Sequence, residues 1–329
     1  MAYELRHMGK AFPGKIIVNG EHAVVHGHPA LLATFGKTVT AEARIAGDNI
    51  VFSDHTFGIK SFQPGILKAG DEVLLEQHEY ALPLMLVREF FRYCGLADRG
   101  LKITAVSDIP IGGFGSSTAY AAAVLSALSE EFAKELSDQE RIDLLTRAET
   151  AFHGRVSGAD QALIIRGGMI RYQNKDSGPV FTPVSAATLL QDVIVINTGR
   201  PEDATGTVVA WVGKRLQERP HETTEIFTRL GQITDEMISD LQQKHTDSMQ
   251  SHVAEAGELL IKLGIVRPEA QELIRKLAKL GAAVKITGAG ALQGRASGAL
   301  LCLSDDYGPV ERFLQKQGVE YYRTALGVS

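Results

Sequence analysis

A glycine-rich segment followed by hydroxyl side chains is the part of this chain best suited to hold a phosphate. Residues 109–124 read IPIGGFGSSTAYAAAV, with three glycines ahead of two serines. Glycines let several backbone N–H groups turn to one side, and a helix starting directly after them offers free N–H groups and a positive dipole end. The lysine of a Walker P-loop is absent. On the residues alone, a phosphate loop and a capped turn leading into a helix are equally supported.

Two carboxylates follow in the stretch ETAFHGRVSGADQA. Residues 137–154 have helical periodicity, which places Glu149 on a stripe with Leu145 and Phe152. A carboxylate on an apolar face is costly unless it is paired or binds a metal, so an ion pair and a metal ligand are both open. Asp160 lies in the short stretch SGAD and is either a turn residue or a functional one.

The stretch FPGKIIVNGEHAVVHGHPAL carries a lysine at the start of a strand and three histidines in one loop. An exposed strand lysine is common, so Lys15 by itself indicates little. Glu21, His22, His26 and His28 lie close together in sequence, but their spacing matches no standard zinc pattern, and metal binding by these histidines is not expected.

A second glycine-rich turn lies near the C-terminus, in KITGAGALQGRASGALL (residues 285–301). It is either a hairpin without a function or a second wall around a ligand.

The periodicity predicts helices between these stretches. Residues 137–154 begin with a capping-box pattern of Ser137 and Glu140 and end at Gly154. Residues 211–241 and 249–263 have the helical spacing of apolar residues. The small residues after Ser116 form one face of a helix: Ala119, Ala122, Ala123, Ser126 and Ala127.

The final third of the chain alternates helix, strand, strand, helix and strand, which is typical of an α+β domain with helices on one face of an antiparallel sheet. Two predicted strands, residues 167–173 and 192–199, are separated by a polar segment. We place the domain change between them, near residue 180.

The length and composition of the chain limit the class of protein to which it can belong. The chain has 329 residues with a net charge of −5, enough for two domains and without an electrostatic case for nucleic acid or an anionic membrane. No apolar run reaches the roughly 18 residues of a membrane span, and residues 1–10 contain no apolar signal core. The two cysteines, Cys94 and Cys302, form no disulfide framework, and a cytoplasmic protein is expected.

The four stretches, in this order, resemble the motifs of the GHMP kinase superfamily. PGKIIVNGEHAVVHGHPAL is similar to the N-terminal motif of its mevalonate kinases, and IPIGGFGSSTA is similar to the phosphate loop P-x-x-x-G-L-G-S-S. HGRVSGADQA resembles H-G-x-P-S-G-x-D, and KITGAG resembles the third motif. The resemblance extends from about residue 11 to about residue 303.

The resemblance implies a two-domain α+β fold. Residues 1–181 would form the N-terminal ATP-binding domain, similar to ribosomal protein S5 domain 2. Residues 182–329 would form a ferredoxin-like C-terminal domain. The implied reaction is transfer of the γ-phosphoryl group of Mg-ATP to a small alcohol.

Roles follow from the resemblance, position by position. Asp160 would take or orient the proton of the substrate hydroxyl, and Lys15 would pair with Asp160 and stabilise charge in the transition state. Mg²⁺ would be held by Ser117 and Glu149. ATP would be bound by Gly112, Gly113, Phe114, Gly115, Ser116, Ser117, Thr118, Gly288, Ala289 and Gly290. The acceptor would be bound by Glu21, His22, Ser157 and Thr205.

The chain also departs from the family pattern. Its phosphate loop is one residue shorter than the commonest form and has Phe114 where leucine is usual. Val156 stands in place of a proline, and the run of glycines after TGAG is missing. Mevalonate kinases often have an arginine just before the threonine that corresponds to Thr205, where this chain has Glu202 and Asp203.

The resemblance predicts an ATP-dependent kinase that converts mevalonate to 5-phosphomevalonate for isoprenoid biosynthesis. The alternatives are a different acceptor (phosphomevalonate, another hydroxy acid or a sugar) and a non-catalytic nucleotide-binding sensor. The retained Lys15, Ser117, Glu149 and Asp160 argue against the sensor. The expected partners are ATP and a small hydroxy acid, without nucleic acid or membrane, and a homodimer is left open.

Overall fold

The structure, a computed structural model, describes residues 9–54, 57–154, 156–175, 177–185, 190–245 and 248–327. The first eight residues, which carry most of the expectation about an N-terminal signal, lie outside these ranges. So does Arg155 of the HGRVSG motif.

Strands and helices follow one another in short runs along the described residues. The strands are β1 (Phe12–Asn19), β2 (Ala30–Ile45), β3 (Ile50–Asp54), β4 (Gly58–Phe62), β5 (Leu101–Ser107), β6 (Met169–Lys175), β7 (Gly178–Pro183), β8 (Val193–Asn197), β9 (Ala283–Thr287), β10 (Ala299–Leu303) and β11 (Glu320–Thr324). The helices are α1 (Asp71–Leu75), α2 (Ala81–Cys94), α3 (Ser116–Glu131), α4 (Asp138–His153), α5 (Ala159–Arg166), α6 (Thr205–Glu218), α7 (Pro220–Gln243), α8 (Met249–Leu263), α9 (Pro268–Ala278) and α10 (Tyr307–Gln317). None of the helices within the described ranges combines the length and the apolar character needed to span a bilayer.

The chain divides into two compact units. The first unit contains the described residues up to Gly14 together with Lys37–Ile109 and Ser116–Arg166. Its strands β3 and β4 pair antiparallel, β3 and β5 pair parallel, and the second half of β2 runs antiparallel to β5. The helices α2, α3, α4 and α5 pack against one another in this unit.

Small side chains explain why α3 packs closely in the first unit. The stripe predicted from the sequence is buried at all five positions: Ala119, Ala122, Ala123, Ser126 and Ala127. Small residues let neighbouring backbones approach, and α3 contacts α2, α4, α5 and β5. The predicted small-residue face is therefore confirmed.

The ends of α4 follow the capping chemistry predicted from the sequence. The backbone N–H of Glu140 donates to Ser137 Oγ at 3.3 Å, and the Ser137 N–H donates to Glu140 Oε2 at 2.7 Å, which completes a capping box. The helix stops at Gly154, whose φ of 85° suits glycine. The local sequence thus determines where α4 begins and where it ends.

The second unit contains Lys15–Gly36, Pro110–Gly115 and the described residues from Gly167 onward. Its main sheet is antiparallel with the order β11-β8-β10-β9. The connection β8–helices–β9–β10–α10–β11 confirms the predicted α-β-β-α-β run and gives the ferredoxin-like arrangement. The first half of β2 pairs with β6, and β6 pairs with β7.

The predicted helical character of residues 211–241 is confirmed, and the structure divides this stretch between two helices, α6 and α7, which meet at Arg219 and Pro220. Arg219 has non-helical angles (φ −134°, ψ 62°), and Pro220 opens α7. Proline lacks the N–H that a continuing helix requires and suits a first helical position, so it separates two segments whose apolar spacing looks continuous.

The predicted domain boundary at residues 181 and 182 stays a prediction. The two compact units are defined by contacts between residues, and each unit contains three segments of the chain. They do not correspond to two consecutive halves of the sequence.

Candidate active site

Three glycines give the segment Pro110–Gly115, here called the glycine loop, a backbone that other residues rarely adopt. Gly112, Gly113 and Gly115 have φ values of 106°, 86° and 70°. A Cβ on Gly113 would lie 3.0 Å from the carbonyl oxygen of Thr287, and one on Gly115 would overlap the side chain of Lys15. A plain capped turn does not need three such positions, so this close-packed loop favours the phosphate-loop interpretation.

Phe114 anchors the glycine loop. Its side chain is fully buried and packs against Phe35 at 5.5 Å and Tyr322 at 6.4 Å between ring centroids. Its carbonyl oxygen accepts a 2.8 Å hydrogen bond from the backbone N–H of Lys15. The departure from leucine at this position is therefore accommodated by an aromatic cluster.

Lys15 is buried, not exposed, since only 7% of the residue is accessible. It lies in β1, and its side chain stem lies against Gly115. A buried lysine requires compensating groups, which distinguishes it from the ordinary strand lysine that the sequence left open. The structure thus brings Lys15 directly to the glycine loop.

The turn after β1 holds Glu21 and His22 in a buried, strained position. His22 has a φ of 57°, which is uncommon for a residue with a side chain and is a feature of functional turns. Its Nε2 lies 2.9 Å from the carbonyl oxygen of Ala289. Burial lowers the pKa of His22 to about 4, so the imidazole is neutral at pH 7.

The loop that follows β9 (residues 288–298), here called the β9 loop, lies beside the glycine loop. A Cβ on Gly288 would be 3.4 Å from the Cα of Gly113, and Gly288 and Gly290 have φ values of 99° and 72°. The Thr287 hydroxyl accepts a 2.9 Å hydrogen bond from the backbone N–H of Ile17. These contacts favour the second-wall interpretation over a hairpin without a function.

Two departures from the family pattern contact each other: the acidic residues before Thr205 and the residues that replace the run of glycines after TGAG. The Asp203 carboxylate accepts hydrogen bonds from the backbone N–H groups of Leu292 and Gln293 at 2.7 and 2.8 Å. On the other side, the Arg267 guanidinium donates to the carbonyl oxygens of Leu292 and Gly294. Asp203 therefore holds the loop that replaces the usual run of glycines.

Thr205 and Ser157, two predicted acceptor residues, lie at helix starts. Thr205 is the exposed first residue of α6. The Ser157 hydroxyl accepts a 3.3 Å hydrogen bond from the backbone N–H of Ala159 at the start of α5, so it has a capping function of its own. Their roles toward an acceptor stay predictions.

In the first unit, the remaining predicted residues lie at helix ends. Ser117 is in the first turn of α3, beside the buried Thr118. Glu149 lies near the C-terminal end of α4, and Asp160 is in the first turn of α5. These helices pack against one another, and only 4% of Glu149 is accessible. Partial desolvation lowers the pKa of His153 and the nearby Asp160 carboxylate opposes that shift, so the ends of α4 and α5 are close.

No cluster of three or more His, Cys, Asp or Glu side chains suited to a metal ion occurs among the described residues. The metal-binding roles of Ser117 and Glu149 stay predictions.

Comparisons with known proteins agree on one family. A family model described as the GHMP kinases N-terminal domain matches residues 81–168. The mevalonate kinases of Thermococcus gammatolerans and Archaeoglobus fulgidus are each 29% identical to the chain, and the matches cover 84% of it and 85% and 87% of those relatives. The crystal structure of Methanococcus jannaschii mevalonate kinase superposes with a TM-score of 0.82 at 22% identity, covering 97% of this chain and 98% of that one. Residues 81–168 are thus similar to the GHMP kinases N-terminal domain, and most of the chain is similar to mevalonate kinases.

Another structural neighbour of this chain is L. major mevalonate kinase in complex with R-mevalonate. It has a TM-score of 0.77 at 21% identity and covers 98% of this chain and 97% of that one. The predicted two-domain α+β fold is confirmed by these similarities over nearly the whole chain.

Sequence reasoning missed one buried residue of this chain. Lys285 is fully buried in β9, where it forms an ion pair with the equally buried Glu21. Its Nζ also donates to the carbonyl oxygens of Ile286 at 2.8 Å and Ile17 at 3.3 Å. A signal was available, because Lys285 interrupts the otherwise apolar strand AVKIT.

Proposed function

We propose that this chain is a GHMP kinase that transfers the γ-phosphoryl group of ATP to the hydroxyl of mevalonate, giving 5-phosphomevalonate for isoprenoid biosynthesis in the cytoplasm. The observation that carries the proposal is the glycine loop, with three positive-φ glycines and the buried Lys15 fixed against it. The mevalonate kinase names of relatives that match 84% of the chain support the choice of acceptor.

ATP fits the glycine loop because the loop presents backbone where side chains are excluded. A Cβ on Gly113 would make a tight 3.0 Å contact with the carbonyl oxygen of Thr287, and one on Gly115 would overlap the Lys15 side chain. Such a backbone cradle suits phosphate oxygens, and α3 begins directly after it with free N–H groups. Ala289 and Gly290 would complete the nucleotide site within the second unit.

Magnesium fits the chemistry of Ser117 and Glu149. A hydroxyl and a carboxylate are oxygen donors, and Mg²⁺ commonly takes one or two protein ligands while it keeps waters and phosphate oxygens. Glu149 is buried on an apolar stripe, where a carboxylate requires compensating positive charge or donors. When bound, the ion supplies positive charge at the phosphate oxygens.

The remaining groups act by position and charge. Asp160 would accept or orient the proton of the acceptor hydroxyl, and Lys15 would stabilise the negative charge of the transferring group. The neutral His22 and the carboxylate of Glu21 would orient the acceptor. Phosphoryl transfer depends mainly on such positioning and charge stabilisation, so few groups suffice.

Acceptor identity is tested with a panel of alcohols and a coupled assay for ADP. The panel contains mevalonate, 5-phosphomevalonate, a second hydroxy acid and galactose. We expect mevalonate to be phosphorylated with the highest kcat/KM. Turnover of another alcohol without turnover of mevalonate would refute the specific acceptor, and absence of any turnover beside ATP binding would favour a sensor.

The role of Asp160 is tested with Asp160→Ala. We expect kcat to fall by about 100-fold or more because the proton acceptor is lost, while the Kd for ATP measured by calorimetry stays within about twofold. Asp143→Asn, an exposed change on α4, is the matched control and is expected to keep full activity. Full activity of Asp160→Ala would remove Asp160 from the mechanism.

A further inference from the structure

The ion pair between Lys285 and Glu21 lies entirely inside the second unit. Both side chains are 0% exposed, and the Lys285 ammonium has three oxygen partners: Glu21 Oε1 and the carbonyl oxygens of Ile17 and Ile286. Burial raises the pKa of Glu21 and lowers the pKa of Lys285, while their mutual attraction opposes both shifts. A buried pair of this kind requires good geometry, which three partners on one ammonium provide.

Two acceptor atoms beside this pair lack donors. Glu21 Oε2 and His22 Nδ1 are buried and have no hydrogen-bond partner among the described residues. Because the carbonyl oxygen of Ala289 can only accept, Nε2 of the neutral His22 carries the proton and Nδ1 is an acceptor. Consecutive residues therefore leave two buried acceptors in need of donors, and buried polar atoms are rarely left unsatisfied.

Hydroxyl groups are the ligand chemistry that meets this need. A hydroxyl donates to a carboxylate or an imidazole nitrogen, whereas the carboxylate of a hydroxy acid would meet only acceptors and the negative charge of Glu21. The acceptor would thus present hydroxyl groups to Glu21 and His22 and direct its carboxylate elsewhere.

We infer that Lys285 is a positioning residue for the acceptor: it holds Glu21 ionised and fixed through Oε1, so that Oε2 accepts a hydrogen bond from a hydroxyl of the substrate. This inference rests on the proposed kinase function and adds a residue that contacts neither nucleotide nor acceptor. The charged and titratable groups that face Glu21 are Lys285 on β9, Lys15 on β1 and the neighbouring neutral His22. Of these groups in the described part of the chain, Lys285 contacts the carboxylate directly.

The test compares Lys285→Met with the wild type in steady-state kinetics. Without the ammonium, a buried Glu21 takes up a proton and Oε2 ceases to be a fixed acceptor. We expect the KM for the acceptor to rise by about 10- to 100-fold, the loss of one hydrogen bond to a charged group, while the KM for ATP changes less than about twofold. Lys276→Met, which removes an exposed ion pair with Glu272, is the control with both values unchanged.

The pH profile separates positioning from a structural effect. In Lys285→Met, kcat/KM for the acceptor should rise with pH above neutrality as the lone Glu21 carboxyl ionises, a step that the wild type lacks. Lys285→Arg keeps the charge and should retain most of the acceptor affinity. Equal rises in the KM for ATP and in the KM for the acceptor, in proportion to the fall in Tm, would overturn the inference. An unchanged KM for the acceptor would overturn it as well.

A double variant keeps the test decisive if Lys285→Met does not fold. Glu21→Gln with Lys285→Met removes both buried charges and should fold with a Tm close to that of the wild type. It should still show the raised acceptor KM, without the pH step, and wild-type acceptor affinity in this variant would overturn the inference.

The proposed function is judged separately. The wild type is tested first, and the variants are then measured with whichever alcohol it phosphorylates. If that alcohol is not mevalonate, the proposed acceptor fails while Lys285 is still judged on the other substrate. If the wild type phosphorylates no alcohol and calorimetry detects no acceptor binding, both fail.

Discussion

The glycine loop and the β9 loop both belong to the second unit, yet they are held by different kinds of contact. The glycine loop is fixed by Phe114, through its buried ring and through its carbonyl oxygen, which accepts a hydrogen bond from the Lys15 N–H. The N–H groups of the loop glycines have no acceptors among the described residues. The β9 loop has its N–H groups at Leu292 and Gln293 bound by the carboxylate of Asp203. A loop that must offer N–H groups to an anion is best anchored through side chains and carbonyl oxygens, whereas a supporting loop can use its own donors.

The largest effect is expected where the glycine loop meets Lys15. Gly115→Ala places a Cβ into the Lys15 side chain at a φ of 70°, so both the loop and the lysine must move. We expect kcat to fall by about 100-fold or more, because small displacements of positioning groups carry that cost. Gly213→Ala, in the open interior of α6, is the control and should leave activity unchanged while stability stays equal or rises slightly. Near-normal activity of Gly115→Ala would show that the loop tolerates displacement.

A second prediction concerns the aromatic anchor of the glycine loop. Phe114→Ala should lower the free energy of unfolding by about 3–5 kcal/mol and raise the KM for ATP, since a fully buried ring is lost behind the loop. Phe114→Leu fills most of the same space and should cost much less in both measurements. Phe57→Ala, at a ring that is 40% exposed, is the control for stability measured by denaturant. An unchanged KM for ATP in a folded Phe114→Ala would separate the anchor from nucleotide binding.

The sequence predicted the parts of the site whose chemistry is local. Glycines at a tight loop, a capping box on α4 and small residues on α3 each act through neighbours in the chain, and the structure has them as expected. The helical spacing of residues 211–241 predicted helix there but not the break at Pro220 that separates α6 from α7. Periodicity reports which face is buried and is weaker at showing where one helix ends and the next begins.

Partnerships between distant residues could not be predicted in the same way. Lys285 and Glu21 are 264 positions apart, and Asp203 lies 89 positions before Leu292. Neither pairing leaves a periodic pattern, because each depends on which strands and loops the fold brings together. The acidic residues before Thr205 were noticed as a departure from the family, but only the contacts of Asp203 explain what one of them does.

The smallest effect is expected at the β9 loop. Asp203→Ala removes the acceptor of two backbone N–H groups and should lower the free energy of unfolding by about 1–2 kcal/mol, with kcat changed less than about threefold. Glu202→Gln, which keeps the shape of an exposed side chain that lies against Gly294, is the matched control and should change neither value measurably. A large loss of kcat in Asp203→Ala would mean that the β9 loop also takes part directly in catalysis and that the two loops do not divide their roles.

The pH dependence of stability sharpens the same prediction. Burial acts to raise the pKa of Asp203, but the N–H donors of Gln293 and Leu292 outweigh it and hold that pKa below its usual range. A carboxylate with a lowered pKa contributes stability above its unfolded pKa of about 3.9 and loses that contribution as the pH falls through its folded value. The difference in unfolding free energy between wild type and Asp203→Ala should therefore be constant from pH 8 to about pH 5 and shrink below about pH 4. A difference that persists unchanged in acid would mean that Asp203 stabilises the β9 loop without its charge, so that the loop is held by packing in the way that Phe114 holds the glycine loop.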